Sequence, residues 1–406
     1  MTTTLPPLHT LHPQPSAASL DAVARLVGFP TISRDSNLAL IDWVQALLAD
    51  LGIASHLSRS DDGQKANLFA TIHPGDGRVS PDKGGIVLSG HTDVVDVDPA
   101  HWSSDPFTAT RRGDRLYGRG TADMKGFIGV VLALLPAIKA TPRAEPVHLA
   151  LSYDEEIGCK GVPRLIADLA QRGVTPQMCL VGEPSSMRVI TGHKGSRVFR
   201  CTVTGKEAHS SLATQGVNAV QIACRLVEFI RLEGLALAAT ETHDAGFAVP
   251  FSTISTGVIA GGTAVNVVPR HCEFRFQIRH LPHTDPAGVI ARIKAFAQDV
   301  LLPEMQQVDA NCAISFTDMG GVPALNEPAS SAWTRRVARA AGNDALGIVD
   351  FGSEGGLFQR AGMSTVICGP GDIANAHRPD EFIELDQLAA CERFLTRLLG
   401  LMPAEA

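Results

Sequence analysis

A chain of 406 residues is longer than one hydrophobic core usually fills, so two domains are expected. Its 45% hydrophobic and 19% charged residues are ordinary for a globular protein. A formal net charge of -7 argues against a nucleic-acid partner, whose electrostatic footprint would be basic, and leaves small molecules as the expected ligands.

The N-terminal run Met1-Thr2-Thr3-Thr4-Leu5-Pro6-Pro7 lacks the basic and apolar regions of a secretory signal, and no apolar stretch reads as long enough to span a bilayer. A cytoplasmic protein with a frayed leader is therefore expected. Periodicity predicts helices over 38–51, 125–139 and 162–171, interleaved with strand-like runs over 67–72, 85–88, 147–152 and 178–181. This alternation predicts an α/β fold, a mostly parallel sheet with helices on both faces.

From about residue 197 the order changes to a strand over 198–203, a helix over 218–232, strands over 252–259 and 271–278, and a helix over 287–300. Two βαβ-like halves of this size predict a smaller α+β insert of ferredoxin-like type. Beyond 303 the helix 330–341, the run 365–368 and the helix 385–399 resume the first pattern. The expected organisation is a catalytic domain in two parts, 1–192 and 304–406, interrupted by an insert over 193–303. Cys159, Cys179, Cys201, Cys224, Cys272, Cys312, Cys368 and Cys391 are scattered without a Cys-x-x-Cys. They read as reduced, buried small hydrophobes and not as disulfides or thiolate zinc ligands.

The chemistry lies where apolar runs end. Ser89-Gly90-His91-Thr92-Asp93 closes the run 84–88, and Gly120-Thr121-Ala122-Asp123, Asp154-Glu155-Glu156 and Gly182-Glu183-Pro184 follow later runs, with His377 downstream of Gly369-Pro370-Gly371. Open α/β sheets keep their ligands at the carboxyl ends of strands. Singly, each motif has an ordinary alternative: His91 and His377 as structural histidines, Asp123 as an N-cap, Glu183 as a strand end, the three acids as a solvated loop. Together they are harder to dismiss, because adjoining acids at a sheet end repel one another unless a cation is present. Such a set of oxygen and nitrogen ligands exceeds one tetrahedral zinc but suits two metals ~3.5–4 Å apart bridged by a carboxylate. Imidazole and carboxylate without thiolate favour Zn²⁺, with Co²⁺ or Mn²⁺ as substitutes. A dinucleotide site at Gly118-x-Gly120 fails, since Asp123 stands at the third glycine position and would repel a pyrophosphate.

The motifs His91-Thr92-Asp93-Val94-Val95, Tyr117-Gly118-Arg119-Gly120-Thr121-Ala122-Asp123-Met124-Lys125-Gly126, Asp154-Glu155-Glu156, Gly182-Glu183-Pro184 and Gly369 through His377-Arg378-Pro379-Asp380-Glu381, in this order and spacing, resemble the M20 metallopeptidase and deacylase family. The resemblance runs from about residue 15 to the end. It implies a fold of dinuclear zinc exopeptidase type, with the insert as a lid and dimerisation domain, and two Zn²⁺ per subunit of a homodimer. His91 and Glu183 would bind one zinc, Glu156 and His377 the other, and Asp123 would bridge them. Asp93 would orient the His91 imidazole, and Glu155 would be the general base, moving a proton from the bridging water to the leaving amine.

His209, in Gly205-Lys206-Glu207-Ala208-His209, is implied as an oxyanion donor in the partner subunit's site, a contribution worth roughly 3 kcal/mol; a surface turn histidine is the alternative. Asn266 and Arg279 are implied near substrate, the guanidinium suiting an α-carboxylate; a turn residue and a strand-end charge are the alternatives. Glu354, in Phe351-Gly352-Ser353-Glu354, is expected to contact a basic substrate side chain, or else to be a helix-N-terminal Glu favoured by the dipole. The implied reaction is hydrolysis of a linear amide, releasing acetate and L-ornithine from N2-acetyl-L-ornithine, in arginine biosynthesis. Other readings are desuccinylation of succinyl-diaminopimelate, a broad N-acyl-L-amino-acid amidohydrolase, and a metal-free binding protein on the same fold.

Overall fold

The computed structural model describes residues 14–73 and 82–401, so the expected N-terminal leader lies outside the described residues. The chain forms two compact units, one of Met1–Gly192, Leu325–Ile348 and Ser353–Ala406, the other of His193–Ala324 and Val349–Gly352.

The first unit is built on a large mixed sheet. Its middle strands are parallel, in the order Val147–Ser152, Ile86–His91, Met178–Pro184, Ser364–Gly369. Helices Gly126–Ala140 and Val162–Gln171 supply the long crossovers that parallel pairing requires. The flanks differ from the expected mostly parallel arrangement. Ser55–Arg59 and Ala66–Ile72 form an antiparallel pair that continues antiparallel onto Val147–Ser152, and Val189–His193 joins Ser364–Gly369 antiparallel. A connection as short as that between Ser55–Arg59 and Ala66–Ile72 can only return the chain antiparallel.

Ile86–His91 and Val147–Ser152 are buried along their whole length, as parallel strands covered on both faces must be. Leu88, Leu149, Leu180 and Val366 from the four middle strands share one core with Phe127, Val130 and Val131 of the Gly126–Ala140 helix. Each such side chain contributes about 1.5–3 kcal/mol on burial. Gly182 sets how closely this helix approaches, because a Cβ there would fall 2.0 Å from the Phe127 ring. The stretch Thr121–Ala140 is, contrary to the sequence expectation, long and apolar enough to cross a bilayer, with 20 residues of mean hydropathy 1.6; most of it is buried inside the fold. Its apolarity serves the core.

Helices Leu38–Asp50, Val162–Gln171, Ala332–Ala341 and Leu385–Leu398 lie where the periodicity predicts them. Helix Ala17–Val27 is not among the predicted helices, although the Ser16 side chain caps it by accepting from the Ser19 amide.

The second unit carries a four-stranded antiparallel sheet in the order Thr253–Gly261, His271–His280, Gly195–Thr204, Ala313–Gly320. With helices Ala219–Thr240 and Pro286–Ala295 the chain order is β-α-β-β-α-β, the ferredoxin-like arrangement. The unit extends to Ala324, past the expected boundary at 303, because Ala313–Gly320 pairs with Gly195–Thr204 from Ala313 opposite Thr204 to Gly320 opposite Val198. Asp318 and Gly320 weaken the strand signal of that segment in the sequence. All eight cysteines are unpaired, Cys224 exposed and the others buried.

Candidate metal centre

The middle strands of the first unit deliver polar side chains at their carboxyl ends. His91 is the last residue of Ile86–His91, Glu155 and Glu156 follow Val147–Ser152, and Glu183 is next to last in Met178–Pro184. His377 follows Ser364–Gly369 after the short turn Ile373–Asn375, which the Asp372 side chain caps. Asp123 arrives from the crossover ahead of helix Gly126–Ala140, where Gly120 at φ 85° turns the chain in a conformation that suits glycine.

Asp123 lies between two imidazoles, with Oδ1 3.0 Å from His91 Nε2 and Oδ2 3.3 Å from His377 Nε2. Glu183 Oε1 is 3.8 Å from His91 Nε2, and Glu156 lies 3.0 Å from His377 Nε2. Two groups of potential ligands result, His91–Asp123–Glu183 and Asp123–Glu156–His377, sharing Asp123. The first is buried, while Glu156 is half-buried and His377 exposed, so the centre opens to solvent on the second side.

Electrostatics shows what the cluster lacks. Burial pushes Glu183 well above the usual carboxylate range, and neighbouring Asp123 adds to it. Burial likewise raises Glu156, and raises Glu155 to about 8, with Glu156 and Glu354 contributing. Hydrogen bonds to Asp123 and Glu156 lift His377 to about 10. Burial opposes a charge on His91, yet Asp123, Glu183 and Asp93 hold it well above its ordinary value. Burial also opposes a charge on Asp123, but His377 and His91 keep it below the usual range. Crowded carboxylates that hold protons, around imidazoles that attract them, are short of positive charge. A nitrogen and oxygen donor set without thiolate, in two triads joined by one carboxylate, fits two divalent ions.

Asp93 meets both the His91 ring and the next loop. Its Oδ1 lies 3.7 Å and its carbonyl oxygen 2.9 Å from His91 Nδ1, while its carboxylate accepts from the amides of Glu155 at 3.1 Å and Glu156 at 3.3 Å and from Ser33 Oγ at 2.7 Å. Glu354, expected at a substrate side chain, is fully buried. Its carboxylate accepts from Ser152 Oγ and, at 3.3 Å, from Ser89 Oγ, on two adjacent strands of the sheet. With no exposed surface and both oxygens engaged, Glu354 stands at the N-cap of helix Gly355–Arg360, the helix-terminal place that was its alternative reading.

Glu155 stands outside both triads, half-buried, with Oε1 accepting from Cys159 Sγ at 3.0 Å. The sequence reading gives Cys159 only a packing role and gives Ser33 and Lys65 none; Lys65 pairs with Asp154 and donates to the Ser33 carbonyl. Ser33 and Lys65 reach the site from elements far away in sequence and carry no local signal.

His209, Asn266 and Arg279 lie in the second unit. The two-residue strand Ala208–His209 pairs with Val267–Val268, and the Ser210 amide donates to the Asn266 carbonyl at 3.0 Å, which brings His209 and Asn266 together. His209 is exposed, and its Nδ1 is 2.8 Å from Ser211 Oγ. Arg279 is half-buried on His271–His280, between Ser196 and Thr253.

A sequence profile described as peptidase family M20/M25/M40 matches residues 87–400, which include every ligand named above. The chain belongs to peptidase family M20. This M20 chain is 34% identical over 383 residues to the acetylornithine deacetylase of Myxococcus xanthus, covering 93% of this chain and 96% of that one. An M20 family metallo-carboxypeptidase from Sulfolobus solfataricus superposes with a TM-score of 0.72 at 19% identity, over 95% of this chain and 99% of that one. A dinuclear metal-binding M20 peptidase from Bacillus subtilis gives 0.63 at 14% identity, over 94% and 96%. The structural likenesses bear on the fold; family membership and the deacetylase relatives make this M20 chain a metal-dependent hydrolase of deacylase type.

Proposed function

We propose that this M20 hydrolase removes the acetyl group from N2-acetyl-L-ornithine, giving L-ornithine and acetate in cytoplasmic arginine biosynthesis. The observation that carries the chemistry is a pair of ligand triads sharing Asp123, with the carboxylate of Glu155, next to Glu156, outside both. The substrate reading is supported by the likeness to the Myxococcus xanthus deacetylase.

His91, Asp123 and Glu183 would hold one Zn²⁺ and Asp123, Glu156 and His377 the second, with Co²⁺ or Mn²⁺ as substitutes. Bound there, the metals supply a water acidified to a pKa of about 7 and a Lewis acid for the amide carbonyl. Glu155 takes the proton from the attacking water and returns it to the leaving nitrogen. Its Oε1 is occupied by Cys159, which leaves Oε2 for the transfer. Arg279 and Asn266 bind the substrate α-carboxylate, and His209 supplies the oxyanion donor to the partner subunit of a homodimer formed through the second unit. Its exposure suits a side chain that acts outside its own unit.

Specificity constants across N-acetyl amino acids and succinyl-diaminopimelate, at defined zinc and cobalt loading, test this reading. N-acetylornithine is expected to lead. A lead for succinyl-diaminopimelate, or a flat profile, would make the chain another M20 deacylase. For the shared site, mixing inactive Glu155→Ala and His209→Ala subunits is expected to restore part of the activity, and verified exchange without recovery would remove His209 from the partner's site.

A further inference from the structure

Glu381 is buried, and each of its carboxylate oxygens is committed. Oε1 accepts from the amides of Ala122 at 2.9 Å and Asp123 at 3.2 Å, and Oε2 accepts from Arg119 Nη1 at 2.7 Å. The Glu381 carbonyl accepts from the Gly118 amide at 2.9 Å. One residue on, Phe382–Glu384 pairs antiparallel with Arg115–Tyr117. Arg119 is itself held, its guanidinium 5.1 Å from the Trp102 ring centre and its Nη2 3.4 Å from the Asp96 carbonyl.

We propose that Glu381 is a positioning residue that sets the Asp123 carboxylate between His91 and His377 and so governs metal affinity; this rests on the dinuclear reading above. The reason is geometric. Asp123 must present Oδ1 to one imidazole and Oδ2 to the other, so a backbone rotation at Asp123 misplaces it for both groups at once. Charge-assisted bonds to its own amide and to that of Ala122 resist such a rotation. Glu381 also lies four residues after His377, so the same short segment carries one ligand and anchors the bridging one.

The test is binding of Zn²⁺ to chelator-stripped protein by competition with a chromophoric chelator, in Glu381→Ala, Glu381→Gln, Asp123→Ala and the Asp123→Ala/Glu381→Ala double variant. Glu381→Ala is expected to bind about 10- to 100-fold more weakly. Glu381→Gln should fall between it and wild type, since an amide oxygen still accepts from the backbone but the pairing with Arg119 is lost. Because Glu381 acts through Asp123, the double variant should bind no more weakly than Asp123→Ala. Wild-type affinity in Glu381→Gln, or a further loss in the double variant, overturns the proposal; if Glu381→Ala does not fold, Glu381→Gln decides alone. Wild-type affinity in Asp123→Ala would instead overturn the dinuclear reading itself.

Discussion

The carboxylate of Asp93 holds the backbone of Glu155, with Oδ1 accepting the Glu155 amide at 3.1 Å, while the same oxygen stays 3.7 Å from His91 Nδ1. The residue two positions after His91 therefore holds the backbone of Glu155 and Glu156 with its side chain and meets the imidazole with its carbonyl.

Asp93→Asn replaces one acceptor oxygen by a donor that faces an amide or a hydroxyl. Turnover is expected to fall about tenfold or more, with His91 retaining its carbonyl partner and the first metal retained. Unchanged kcat would show that the Glu155 loop holds its place without Asp93.

Glu155→Ala is expected to keep both metals yet lose about 10²- to 10⁴-fold in kcat, the usual worth of a general base. His91→Ala should lose metal as well. Metal content by plasma emission beside steady-state rates separates them, and Glu155→Ala activity within tenfold of wild type would sink the assignment.

Metal binding should release protons. With metal absent, His377 is raised to about 10 and His91 lies well above its ordinary value of about 6.5. A raised imidazole stabilises the metal-free fold most fully below its unfolded pKa, and that contribution fades as pH rises through the folded value. Metals must displace these protons, so affinity should keep rising with pH until it passes the raised His377 value of about 10. Calorimetry in buffers of different ionisation enthalpy reads the release directly, and a binding enthalpy independent of buffer would contradict it.

Glu354→Ala leaves the hydroxyls of Ser89 and Ser152 without their buried acceptor, a loss of about 1–3 kcal/mol. The two specificity constants for N-acetylornithine and N-acetylmethionine should fall together. A loss confined to N-acetylornithine would return Glu354 to the substrate.

Gly182→Ala forces a methyl group into the Phe127 ring beside Glu183. Overpacking of this kind costs about 1–3 kcal/mol, so the midpoint of thermal unfolding should drop. A midpoint equal to wild type would mean that helix Gly126–Ala140 moves away at little cost.

The places of His91, Glu155, Glu156 and Glu183 were legible in the sequence because each ends or directly follows an apolar strand, whereas Asp123 and His377 come from a crossover and from beyond a short turn. A strand followed by its loop is encoded by neighbouring residues, and open sheets place such loops on one edge. The ferredoxin-like insert was legible for the same reason, its strands and helices alternating along the chain. What the tertiary structure alone decided are the partnerships between distant residues. Glu354 is buried against Ser152, 202 positions away, and Glu381 holds an amide 258 positions away, whereas a local reading assigns the first to substrate and leaves the second without a role. The end of the second unit at Ala324 depends in the same way on Ala313–Gly320 finding an edge of Gly195–Thr204. Periodicity records which face of an element is apolar; the partner that covers that face, or satisfies a carboxylate behind it, is chosen only when the chain packs.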